Sequence, residues 1–427
     1  MQEKSMAQKI ILGLQHVLAM FGATVLVPAL TGLNTSITLF CAGVGTLIFH
    51  GVTKRKVPVF LGSSFAFMGG ISAILGDARM GDPEFLERLA AVKGALIIAG
   101  LVYVVFAGLI KVIGYDKVSK LLPPIVTGPI IIVIGLRLSA TGVSSAFYRD
   151  GAFEPKCLIV TGVVLLVVIG FSVFAKGILN LMPILFGIIA GYIVCGFLGF
   201  TDFSAVAKAD WLAFTDKDII AQVICLPTFK LDAILALAPI ALVTLVEHVG
   251  DITTNGAVVG QDFISDPGVH RTILGDGLAT AFAGLLGGPA NTTYSENTGV
   301  LAVTKNYDPS IIRIAAVFSI ILGIFGKIGG VITSIPGPVT GAISIVLYGM
   351  ISAVGVRILI GQRVNLGNSR NLMIAALILV IGIGCDSIPI AGTVTISGLA
   401  LAAILGIVLA LVLPEGKDAY LSKDETV

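Results

Sequence analysis

An all-α polytopic membrane protein is the fold class this sequence predicts, and three observations predict it. Hydrophobic residues fill 56% of the 427 positions and charged residues only 12%, at a mean hydropathy of +1.02, a balance suited to lipid rather than water. Apolar stretches of about 20 residues, the length that crosses a bilayer as helix, recur from Ile10 to Leu413. The 52 glycines would weaken soluble helices, but in a membrane they permit close helix approach and tolerate broken backbone where it lines a cavity. Together these favour a transporter-like bundle of a dozen or more helices over a simple anchor, with no stretch left for a separate soluble domain.

Taken in order, the first span is the apolar run through Leu30, preceded by Lys4 and Lys9. It is longer than a signal-peptide core and is read as retained. Lys54-Arg55-Lys56, after the second span, is expected on the cytoplasmic side, which places the N-terminus inside and residues 77–88 outside. On the same count residues 201–230, with Trp211 and alternating charges, form a long outer loop, and residues 251–271 and 357–370 fall inside. The tail, 415–427, is a short cytoplasmic end. Arg137, Lys327, Asp386, Lys93 and Lys111 lie close enough to predicted span ends to snorkel.

The same composition excludes other classes. Net charge is +2 and no basic tract is interleaved with aromatics, so no nucleic-acid partner is expected. Four histidines and five cysteines (Cys41, Cys157, Cys195, Cys225, Cys385) lack metal-ligand spacing, and the cysteine count is odd, so neither metal nor disulfide is expected. No nucleophile and base pairing, HExxH or phosphate-cradling glycine loop is evident, so an enzyme is not expected, nor a cofactor.

Three features recur in the same order in both halves. Gln15-His16 lies within the first apolar helix and Glu247-His248 within a helix starting near Leu231. Two segments rich in small polar residues follow, LGSSFAF (61–67) and GGPANTTYSEN (287–297), and then PPIVTG (123–128) and PGPVTG (336–341). The reading is an internal duplication, inverted if each half has an odd number of spans, with the paired Gly/Pro-interrupted segments marking a midplane binding site.

An ionised carboxylate at bilayer depth is costly, so Glu247, Asp251 and Glu296 are functional candidates. Glu247 and Asp251 are one helical turn apart, and two carboxyls so placed in a low dielectric are expected to share a proton rather than both ionise. Asp251 also reads as a solvated helix end. Glu296 follows a run of small and hydroxyl residues, where an extended stretch with free amides gives way to a helix N-terminus.

QHVLAMFGATVLVP (15–28), LGSSFAF, EHVGD (247–251), HRTILGDGLAT (270–280), NTTYSENTGVLAVTK (291–305) and VLYG (346–349) resemble the nucleobase/ascorbate transporter family, and the first two its bacterial uracil-transporting branch. Glu296-Asn297, Gly299 and Thr304-Lys305 fit the family signature in type and spacing. The resemblance implies fourteen transmembrane segments in two inverted repeats of seven, residues 1–230 and 231–427. It implies a core of spans 1–4 and 8–11, a gate of spans 5–7 and 12–14, and a homodimer in the cytoplasmic (inner) membrane with both termini cytoplasmic. It implies elevator-type, proton-coupled import of uracil or a related nucleobase. Glu247 and Glu296 would then bind the base, with backbone contacts from Phe65 and Ser295 and proton coupling through Glu247, Asp251 and Glu296. Gln15, His16, Ser64, Tyr294, Asn297 and Tyr348 would support the pocket or gate. A permease for xanthine, urate or another purine is the neighbouring reading. An anion transporter or channel of similar fold is the rival from another class, and it should carry basic residues at the two helix N-termini.

Two residues depart from the resemblance. The uracil transporters to compare first have glycine where this chain has Ser295, and histidine where it has Asp251. Because the contact at 295 is through backbone, serine is expected to change little beyond pocket size. Aspartate at 251 alters the protonation chemistry. The chemistry suits the substrate class, since a protonated carboxyl can donate to an imide carbonyl and accept from the adjacent N–H, and Phe65 can offer a ring face.

Overall fold

The computed structural model describes residues 5–119, 123–149, 151–391, 394–416 and 418–421. Lys4 and part of the tail, 417 and 422–427, lie outside them. The chain begins with α1 (Met6–Thr31), started by a capping box between Ser5 and Gln8, and α2 (Thr35–Val52), capped by Asn34. A short strand β1 (Leu61–Ser63) and a half-helix α3 (Met68–Leu75) come next. Then follow α4 (Phe85–Ile113), α5 (Pro124–Phe147), α6 (Pro155–Phe174) and α7 (Pro183–Leu198). The second half repeats that order with α8 (Leu231–Val259), α9 (Val269–Leu286), β2 (Asn291–Thr293), half-helix α10 (Ser295–Thr304), α11 (Pro309–Ile324), α12 (Gly337–Gly361), α13 (Ser369–Gly384) and α14 (Gly398–Val412). Proline opens α5, α6, α7 and α11, where its missing N–H costs nothing.

Among the described residues seven helices are long and apolar enough to cross a membrane: α1, α2, α4, α5, α6, α8 and α12. Four more, α7, α11, α13 and α14, are apolar but shorter. With α9 and the two strand-plus-half-helix units they supply the fourteen expected segments. The strands β1 and β2 pair antiparallel, as an inverted repeat requires, with Leu61 opposite Thr293 and Ser63 opposite Asn291.

Two packing groups are evident. In one, α2 and α4 pack on α11 and α9 with α1 and α8 beside them; in the other, α5 packs on α12 with α6, α7, α13 and α14 around the pair. Reciprocal glycines set one close crossing in each group. A Cβ at Gly100 of α4 would sit 2.6 Å from the Gly277 carbonyl of α9, and one at Gly277 2.8 Å from that of Gly100. Gly128 and Gly355 make the same reciprocal contact between α5 and α12. Such small-residue crossings replace the hydrophobic driving force that lipid cannot supply. At the starts of α1 and α11, burial opposes ionisation of Asp308, but Lys9 at 2.8 Å and Ser310 hold its carboxyl down to about 2.

Several basic residues do not snorkel, contrary to expectation. Residues 199–230 carry two short helices, Ser204–Lys208 and Lys217–Ile224, which lie against the first packing group. Lys93 of α4 is fully buried and its Nζ donates to the carbonyls of Gln222 (2.9 Å), Val223 (3.2 Å) and Cys225 (2.5 Å) at the end of the second short helix. Lys327 likewise donates to Val206 (2.8 Å) and Ala207 (3.2 Å) at the end of the first, below the Trp211 ring. Arg137 donates to the carbonyls of Gly382 and Cys385 at the end of α13 and pairs with Asp386. In each case a cation meets helix carbonyls that have no partner within their own helix. Lys111 is exposed, as expected.

Candidate functional site

The site is built on the crossing of β1 and β2. Each strand is fixed first within its own half. The Thr46 hydroxyl of α2 accepts from the Leu61 N–H (2.9 Å), and that of Thr280 in α9 accepts from the Asn291 N–H (3.2 Å) and donates to the Asn291 carbonyl (3.0 Å). The ladder is extended by Ser64 N–H to Ala290 O (2.8 Å) and Tyr294 N–H to Phe60 O (3.1 Å). Beyond it the chain turns into α3 on one side and α10 on the other. Neither half-helix has a side-chain cap at its first turn.

Beside this crossing runs α8. Glu247 and Asp251 lie one turn apart on it, and the helix continues two turns past Asp251 to Val259. Asp251 is therefore not a solvated helix end, and the inside loop expected from residue 251 begins only after Val259. Its carboxylate reaches β2 and α10, accepting from Thr293 Oγ1 (2.6 Å) at Oδ2 and from Ser295 Oγ (2.8 Å) at Oδ1. The Ser295 side chain thus does more than fill space, which corrects the expectation drawn from the backbone contact alone. The two positions at which the chain departs from the resemblance are bonded to each other. Glu296 sits in the first turn of α10, one residue beyond the Ser295 that bonds Asp251.

The remaining candidates form a supporting layer. Asn297 Nδ2 donates to the His16 carbonyl (3.0 Å) and faces His16 Nδ1 (3.1 Å), joining α10 to α1. Tyr294 donates to the Ser63 carbonyl (2.9 Å), its ring lying against Gly62, where no side chain would fit. Tyr348 of α12 clusters with Val27 and Met68, and Phe65 packs against that cluster. Gln15 Oε1, Ser64 Oγ and Asn297 Oδ1 are buried without a hydrogen-bond partner among the described residues.

Exposure divides the candidates cleanly. Glu247, Asp251, Glu296, Phe65 and Gln15 are each partly open and Ser295 is exposed, whereas His16, Ser64, Tyr294, Asn297 and Tyr348 are buried. The residues named as contacts are therefore accessible, and most of those named as supports are buried.

Sequence reasoning missed Thr293 and the pair His248–Asp276. His248 Nδ1 is 3.0 Å from Asp276 Oδ2 with both side chains fully buried, within ion-pair distance but off the line of a hydrogen bond. Asp276 stands inside apolar α9 and met the criterion that selected Glu247.

A bundle of apolar helices interrupted by two crossed strands, with Glu296 at the start of one half-helix and Glu247 and Asp251 on the long helix beside it, has the architecture of a multi-pass membrane transporter. Known proteins agree. The model of the permease family known as "Permease family" matches residues 7–390. The uracil permease of Bacillus caldolyticus is 47% identical over 96% of this chain and 93% of its own. That of Bacillus subtilis (strain 168) is 43% identical over 96% and 94%, and that of Escherichia coli (strain K12) 37% over 95% and 91%. Among solved structures, the transmembrane domain of the cyanobacterial bicarbonate transporter BicA shares the fold with a TM-score of 0.58 at 14% identity, over 94% of this chain and 96% of that one. Murine Solute Carrier 26 family member A9, an anion transporter in the inward-facing state, does so with 0.68 at 10%, over 97% and 69%. The chain belongs to the nucleobase/ascorbate transporter family, and is a permease rather than an enzyme.

Proposed function

We propose that this chain imports uracil together with protons across the cytoplasmic (inner) membrane. The observation that carries the reading is the pairing of two partly open carboxyls, Glu247 and Glu296, with the uncapped first turns of α3 and α10. An imide edge alternates N–H donors with carbonyl acceptors, and two carboxyls plus backbone N–H groups from Phe65 and Ser295 complement it. The permeases at 37–47% identity that carry uracil in their names support that base over a purine. The proton is carried within the Glu247, Asp251 and Glu296 cluster, where placing the base beside a carboxyl couples the two loads. A carboxylate in the first turn of α10 disfavours the anion reading, since it occupies the place an anion would take.

The first packing group, spans 1–4 and 8–11, is the moving core and the second, spans 5–7 and 12–14, the gate. The core slides as an elevator within a homodimer, and residues 1–230 and 231–427 are the two repeats. Both termini and Lys54-Arg55-Lys56 face the cytoplasm, with residues 201–230 outside. The test is uptake of labelled uracil into proteoliposomes with and without an imposed pH gradient, in competition with xanthine and urate. Gradient-driven uptake displaced by uracil alone is expected; displacement by xanthine at lower concentration overturns the base assigned. Single cysteines at 211 and 55 in a cysteine-free chain are expected to label from outside and inside, respectively, and the reverse pattern inverts the topology.

A further inference from the structure

We propose that Asp251 and Ser295 form a clamp that sets the position of the first turn of α10, so that Asp251 is a positioning residue for the ligand-binding end rather than the group that carries the proton. The inference rests on the functional reading above only in taking that turn as the place where the base binds.

Both oxygens of Asp251 are already engaged, one by each of two hydroxyls. The donors, Thr293 and Ser295, are two residues apart at the end of extended backbone, where alternate side chains point the same way. Tyr294 between them points oppositely and is held by the Ser63 carbonyl and hydroxyl of β1. Residues 293–295 are thus gripped from both sides, by α8 through Asp251 and by β1 through Tyr294. The amides that open α10 and the Glu296 carboxyl follow immediately, so their aim is set by that grip. Asp251 is well anchored for the task, being inside a continuous helix with two further turns beyond it.

The other ionisable groups around Asp251 are differently placed. Glu247 is one turn back on α8, Glu296 is one residue beyond Ser295 on α10, and His248 and Asp276 face each other in the buried layer between α8 and α9. Among the described residues Glu247 accepts no hydroxyl of the kind that holds Asp251. Of the two acids on this face of α8, Glu247 is the one left free to exchange a proton with the base or the solvent, and Asp251 the one committed to structure.

The experiment compares Asp251→Asn, Ser295→Ala, their double mutant and Ser295→Thr in the purified full chain. Backbone amide exchange of residues 293–298 is read without any ligand, and uracil uptake is read as KM, maximal rate and pH profile. Either single substitution is expected to speed exchange of the α10 first turn and to raise KM about tenfold, the size of a lost charge-assisted hydrogen bond, with maximal rate changed less. The double mutant is expected to be no worse than the poorer single, since each removes the same bond. Ser295→Thr, which keeps the hydroxyl, is expected to recover most of the loss. The midpoint of the pH profile is expected to stay at the wild-type value in Ser295→Ala and Ser295→Thr, where no charge changes. Unchanged exchange in both singles, or additive losses in the double, overturns the clamp. So does a pH dependence that vanishes in Asp251→Asn beside an inert Ser295→Ala, which gives the proton to Asp251. If the wild type takes up no uracil, the functional reading fails by itself, and the exchange data still decide the clamp.

Discussion

The two broken segments share one backbone device and carry opposite chemistry. LGSSFAF around β1 has no ionisable group, and its Phe65 packs against apolar clusters that include α1, α3 and α12. NTTYSEN around β2 brings Glu296 and is tied on all sides by polar bonds, to Asp251, Ser63 and His16. The symmetric backbone supplies two uncapped helix starts. The asymmetric side chains make one of them an apolar wall and the other a polar edge. On the function proposed above, a duplicated scaffold offers a base with one apolar face and one polar edge a site for both.

Four measurements can break or sharpen that contrast. The largest effect belongs to the polar side. Glu296→Gln and Glu247→Gln are each expected to lower uptake on the order of a hundredfold, because an imide then meets a fixed amide where it needs an acceptor or an exchangeable proton. Membrane insertion should be normal, since a charge costly in lipid has been removed. Near wild-type uptake by either variant at matched expression takes that glutamate out of the site.

A smaller effect is expected on the wall. Phe65→Ala removes the ring that packs between α1, α3 and α12, and KM should rise roughly two- to twelvefold, in line with the worth of a ring contact of about 0.5–1.5 kcal/mol. A loss as large as that of Glu296→Gln would mean that the first segment carries chemistry too. The joint between the segments comes next. Tyr294→Phe deletes the hydroxyl that reaches Ser63 and leaves a buried carbonyl short of a donor, which should cost about 1–3 kcal/mol and lower the melting temperature in detergent. If stability is kept and only uptake falls, the hydroxyl serves the ligand instead. The smallest change is expected for Ser64→Ala. Its hydroxyl is buried without a protein partner, so uptake should move by roughly threefold at most unless it meets the substrate directly. A large loss there would show the apolar wall to be incomplete as described.

Much of this was legible in the residues. The period and length of apolar runs give the helices, and α8 starts at Leu231, where its pattern placed it. The likeness of LGSSFAF to GGPANTTYSEN foretells that the two segments meet, and they pair residue by residue. PPIVTG and PGPVTG both open equivalent helices, α5 and α12. Lys93 and Lys327 escape the sequence reading because hydropathy sees a charge near a span end and cannot see the carbonyls of a short helix folded over it. Asp251 was ambiguous for a related reason. Whether a carboxylate faces water or two hydroxyls depends on residues 42 and 44 positions further along the chain. His248–Asp276 needs the same long-range knowledge, since neither residue marks its partner locally.

The ladder between β1 and β2 also bears on how the protein is made. β1 leaves the ribosome with edge groups that lipid cannot satisfy, and its partner strand is roughly 230 residues further on, on the order of ten to fifty seconds at ordinary translation speeds. In that interval the Thr46 hydroxyl can hold Leu61, but the rest of the strand is unpaired. The first seven segments must therefore wait, sheltered by the insertion machinery or by one another, until the second seven arrive. A chain cut between α7 and α8 would leave two fragments that each lack half of a two-stranded sheet, and neither should mature without the other.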